Sequence, residues 1–120
     1  MNAMLIAGGL AALTVAAHSV LGERLIFSRL RNAQGWTDAA LNLLPVRRWW
    51  ALRGSWHLLS IFGLGFAALL FDLGAGQSHA QVIIGITFLA SAVYWAVATR
   101  LGHPAWVALG AIGTLMFVPS

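Results

Sequence analysis

The residues of this chain with the most chemical reach are its histidines and one glutamate. His18, His57 and His103 fall near the ends of apolar stretches, and Glu23 closes the first of these. Neutral imidazole is the commonest protein ligand for transition metals. Three imidazole nitrogens and a carboxylate oxygen would suit zinc, or iron with open positions. Two histidines facing each other would suit haem. His18 and Glu23 stand about 140° apart on an ideal helix, so they converge only if the helix unwinds at Gly22. A histidine beside a glutamate also suits proton handling. Ser19 or Ser60 with His57 and Glu23 has the residue types of a Ser–His–acid hydrolase, but no nucleophile-elbow motif accompanies them. No H-E-x-x-H spacing supports a metal site either. The plainer expectation is that these histidines bond to carbonyls, lipid phosphates or one another.

The elements that must position these groups follow from composition. Of 120 residues, 60% are hydrophobic and 8% charged, against about 25% charged in a soluble domain. A chain this short cannot hide so much apolar surface in one core, so lipid is the expected solvent. With no cysteine, disulfides and thiolate metal sites are excluded within these residues. A spanning helix needs roughly 20 apolar residues to cross about 30 Å of hydrocarbon. Stretches 3–22, 55–71, 80–99 and 105–118 are the candidates, and the last is short, about 21 Å as a helix. The fold class expected is therefore all-α: a polytopic four-helix transmembrane bundle in a single domain. The first stretch lacks the basic start of a cleaved signal peptide; its arginines follow it.

Charge sets the topology. Arg24, Arg29, Arg31, Arg47, Arg48 and Arg53 lie in the link 23–54, Arg100 lies in the third link, and the second link has no basic residue. All seven arginines then share one side, which the positive-inside rule makes cytoplasmic, with both termini outside. The tryptophans, at 36, 49, 50, 56, 95 and 106, fall at the same ends, where amphipathic rings favour the headgroup level. Thr37-Asp38 reads as a helix start and Pro45 as its stop, so link 23–54 is expected to lie in the interface. Its six arginines would meet anionic lipid phosphates. Asp72 and His79, in the outer link, are expected to meet water. Small residues such as Gly8, Gly63, Ala67, Gly110 and Gly113, with Thr87, Ser91 and Tyr94, mark packing faces.

Three fragments carry a resemblance: His18-Ser19-Val20-Leu21-Gly22-Glu23, Trp56-His57-Leu58-Leu59-Ser60 and His103-Pro104-Ala105-Trp106. In that order, the chain resembles a group of small four-span bacterial inner-membrane proteins. The resemblance implies the fold and the bacterial inner membrane, and no chemistry. Small multidrug-resistance transporters are also four-span chains of this length, but their carboxylate in the middle of the first helix has no counterpart here. Two functions are expected. One is an accessory or scaffold subunit of a larger membrane complex, or an oligomer of this chain. The other is a metal- or haem-binding protein using His18, His57 and His103 with Glu23, for redox, transport or hydrolysis. Nucleic acid is not an expected partner.

Overall fold

The computed structural model describes residues 2–28, 30 and 45–119. The expectations for Arg29, Arg31, Trp36 and Thr37-Asp38 lie outside the described residues. Four α-helices run in alternating directions: α1 (Ala3–Leu21), α2 (Val46–Gly74), α3 (Ala80–Ala98) and α4 (Ala105–Leu115). A π-helical segment, Gly22–Phe27, prolongs α1. No strand is present among the described residues. Three helices, Ala3–Phe27, Val46–Gly74 and Ala80–Ala98, are long and apolar enough to cross a membrane.

Local chemistry sets the helix ends. The Asn2 side chain accepts from Met4 N at 3.0 Å and caps α1, while its amide donates to Gly74 O at the end of α2. α2 closes in a Schellman motif: Gly76, at φ +68°, donates to Leu73 O and Gln77 N donates to Asp72 O. The same motif closes α3, with Arg100 N to Val97 O and Leu101 N to Ala96 O. There the left-handed positions belong to Arg100 (φ 51°) and Leu101 (φ 59°) instead of glycine. Each such L-residue costs about 1–2 kcal/mol, so other contacts must hold the turn.

Two boundaries differ from the sequence expectation. α2 begins at Val46, not near residue 55, because Arg47, Arg48 and Arg53 are good helix formers and the helix simply continues past its apolar run. α4 ends at Leu115, and its last residues tighten into three-residue turns, Phe117 N to Thr114 O and Val118 N to Leu115 O. Asp72 is a correction: it is buried and accepts from His79 N and Nδ1, both at 2.9 Å, so it closes the outer turn instead of meeting water.

The helices form a row, not a bundle. α1 packs on α2, α2 on α3 and α3 on α4. The extents are 55 × 36 × 14 Å, little more than one helix deep. The radius of gyration is 17.2 Å, against about 14 Å for a compact chain of this length. The cause can be traced to small residues two apart, which lie about 200° apart on a helix. On α2, a Cβ at Gly63 would run into Val15 of α1, and one at Gly65 into Thr87 of α3. On α3, Thr87 faces α2 while Gly85 lies against Phe117 and Met116. Close approach is thus built on opposite flanks of both middle helices.

Alternation gathers the chain's chemistry. Arg24, Arg47, Arg48, Arg53 and Arg100, with Trp49, Trp50, Trp56, Trp95 and Trp106, stand at one end of the row, formed by the π segment, the start of α2, the α3–α4 turn and the start of α4. Asn2, Gly74, His79 and Met116 mark the other end; the Gln81 side chain donates to Met116 O there.

Candidate functional site

At the arginine-rich end, α1 and α2 meet through a chain of hydrogen bonds. Ser60 Oγ lies 2.6 Å from Ser19 Oγ, and Ser19 Oγ lies 3.0 Å from His57 Nδ1. His57 Nε2 lies 3.0 Å from Glu23 Oε2. Arg53 then grips Glu23 with two parallel bonds, Nε to Oε2 at 2.9 Å and Nη2 to Oε1 at 2.8 Å. This bidentate fork fixes the carboxylate plane as well as its charge.

Helical spacing explains the alignment. Ser19 and Glu23 are one turn apart on the flank of α1 that faces α2, as are Arg53, His57 and Ser60 on α2. The π segment begins at Gly22, beside Glu23, and Gly22 is the residue that lets the indole of Trp56 sit against α1; any Cβ there would occupy the ring. Phe27, at the end of that segment, is buried edge-on between Trp49 (5.6 Å) and Trp56 (5.8 Å) and lies 6.2 Å from the His57 ring. Aromatic rings thus shield one side of the cluster. Ser60 is buried, His57 and Glu23 are intermediate, and Arg53 is the most open member. Exposure therefore decreases stepwise from Arg53 to Ser60.

The bonding fixes a proton pattern. A carboxylate only accepts, so His57 Nε2–H donates to Glu23. With a neutral ring, Nδ1 then accepts from Ser19, which accepts from Ser60. With a protonated ring, Nδ1–H donates to Ser19 and the two hydroxyls turn the other way. Either charge state of His57 keeps each of these bonds.

The four residues expected to share a ligand fall into three settings. His57 and Glu23 come together. His18 faces α2 as well, but its Nε2 donates to Trp56 O at 3.2 Å, and its ring stacks on Trp56 at 4.3 Å and 7°. Trp56 Nε1 donates back to His18 O at 3.1 Å. His103 lies at the α3–α4 turn, where Nδ1 accepts from Trp95 Nε1 at 3.2 Å and from Ala105 N at 3.3 Å. Among the described residues, no group of three His, Asp or Glu side chains is placed to hold a metal ion. Arg53, expected at lipid phosphates, pairs with Glu23. Arg24, Arg47 and Arg48 remain exposed. Sequence reasoning missed Trp56 as the partner of His18 and Phe27 as the shield; an aromatic next to each end of a span was the available signal.

Beyond the geometry, no protein-family model, curated protein or solved structure matches the chain, so the likeness to small inner-membrane proteins rests on the three fragments themselves.

Proposed function

We propose that the chain is a bacterial inner-membrane protein that crosses the bilayer four times, arginine-rich end in the cytoplasm, and serves as a small subunit laid against a larger membrane complex or further copies of itself. The observation that carries this reading is the row one helix deep. A row encloses no interior, so both broad faces stay open. Leu13, Phe66, Val93 and Val97 are each about two-thirds exposed or more. An apolar groove of about 230 Å³ runs between α2 and α3 past Phe62 and Phe88. A crossing by α4 is supported by its neighbours: it starts beside Trp95 and its far end meets Gln81 and Gly85, so it follows α3 for nearly the full length of that helix. Photo-crosslinkers at Leu13 and Val93 in native membranes should join the chain to another polypeptide of defined mass. Adducts with lipid alone from both positions would contradict the subunit reading.

A second reading is favoured by the Ser60–Ser19–His57–Glu23 chain, whose bonds survive reversal. It suits a group that takes up a proton at the end of the membrane and hands it inwards. Holding a metal or haem fits less well, since His57 and Glu23 offer two donors and both are engaged. Nitrogen NMR of neutral His57 should show the Nε2–H tautomer, and Glu23→Ala should mix the tautomers. An Nδ1–H form in the wild type would remove the relay.

A further inference from the structure

We propose that the arginine-rich end carries a second site, built to bind a phosphate anion, between the first turn of α2 and the turn joining α3 to α4. This inference uses none of the residues of the Ser60–Ser19–His57–Glu23 chain, and its lipid form rests on the reading that this end lies at the headgroup level of a membrane. A cavity of about 180 Å³ lies there, lined by Arg47, Arg48, Thr99, Gly102 and His103. That is room for several waters, each of which takes about 30 Å³ of liquid.

The donors converge and the charge is unbalanced. Among the described residues the carboxylates are Glu23 and Asp72; Glu23 is held by Arg53 and His57, and Asp72 by His79 at the far end. Among the described residues, Arg47, Arg48 and Arg100 therefore meet no carboxylate. Arg47 uses Nη2 to reach Gly102 O at 3.3 Å and leaves its remaining donors for a ligand. α2 starts at this point with no side-chain cap, so the positive end of its dipole adds to the two guanidinium groups. His103 supplies the third donor. Its Nδ1 accepts two bonds, from Trp95 Nε1 and Ala105 N, which puts the ring proton on Nε2, and Nε2 has no partner among the described residues.

The turn is shaped for this purpose at a cost. Arg100 and Leu101 both adopt left-handed backbone, which brings Gly102 and His103 up to Arg47. The Arg100 guanidinium is pinned 4.1 Å over the Trp50 ring, which holds the strained residue in place. Thr99 and Gly102 line the cavity, and the two consecutive strained residues between them hold that wall preorganised. Forked arginines, a helix N-terminus and a neutral imidazole N–H form a donor set for phosphate oxygens. Phosphatidylglycerol would bring such a phosphate with net negative charge, and inorganic phosphate would bring it free.

Native mass spectrometry of the purified full chain separates these sources. Wild type should retain phosphatidylglycerol about tenfold better than phosphatidylcholine, and Arg47→Ala with Arg48→Ala should abolish the preference. Arg24→Ala, an arginine outside the cavity, should keep it. Millimolar inorganic phosphate should compete with phosphatidylglycerol, and raise the melting temperature, if the free anion is also a ligand; no competition assigns the site to lipid alone. Arg47→Gln keeps the test decidable should the double variant fail to fold. Wild type with neither lipid preference nor response to phosphate would overturn the site, as would a preference undiminished in the folded arginine variants.

Discussion

His57 is the hinge of the account at the residue scale, since both its nitrogens are used. Interhelical hydrogen bonds in lipid are worth about 0.6–2 kcal/mol each. Ser19→Ala and His57→Ala should therefore each destabilise the chain by about 1–2 kcal/mol in a reversible detergent-unfolding assay. The double variant should fall short of the sum by about 0.5–1.5 kcal/mol, because both remove one shared bond. Strict additivity would mean that the two side chains do not interact. Ser91 predicts the opposite sign. Its hydroxyl is buried with no partner among the described residues, whereas Thr14, Thr87, Thr99 and Thr114 each donate to the carbonyl four residues before them. Ser91→Ala should be neutral or stabilising by up to about 1 kcal/mol, while Ser60→Ala, which loses Ser19, should destabilise. Part of the cluster was legible in the sequence: residue types and depth singled out His57 and Glu23. The separation of His18 and His103 from them was not, because hydrophobicity reports depth in a bilayer and says little about rotation around each helix axis.

Helices rather than side chains decide the second set of outcomes. The apolar runs were long enough to be seen directly, but the start of α2 was hidden. Arg47, Arg48 and Arg53 read as a loop because they cannot lie in lipid, yet nothing in them breaks a helix. The π segment at Gly22 left no sequence signal beyond a glycine beside a carboxylate. Glycines test the close approaches. A Cβ at Gly113 would sit 2.8 Å from Leu89 N, a backbone atom that cannot swing away. Gly113→Ala should lower stability by about 1–3 kcal/mol by prising α4 from α3. Gly9→Ala, with nothing within 4 Å, should leave stability unchanged or slightly raised. Similar losses from both would place the strain outside the α3–α4 contact. Arg100→Gly should relax the left-handed turn, yet lose the contact with Trp50. Its expected result is a stability change near zero together with weaker retention of phosphatidylglycerol.

For the whole molecule, four apolar stretches with alternating charge suggested helices packed around an interior. Spacing also held the correction: Gly63 and Gly65 on α2, like Gly85 and Thr87 on α3, point to opposite flanks and so string the helices into a row. A row that deep has arginines at one end and broad apolar faces, which is why sidedness underlies both the subunit reading and the headgroup-level phosphate site. Because the chain has no cysteine, single-cysteine variants report sidedness without background. Labelling of Ser28→Cys, Ala105→Cys, Gln77→Cys and Pro119→Cys with a membrane-impermeant maleimide, in intact cells and in inverted vesicles, is the most direct measurement. The first two should react only in inverted vesicles and the last two only in intact cells. Reaction of Ser28→Cys and Ala105→Cys from opposite sides would contradict the four-crossing row.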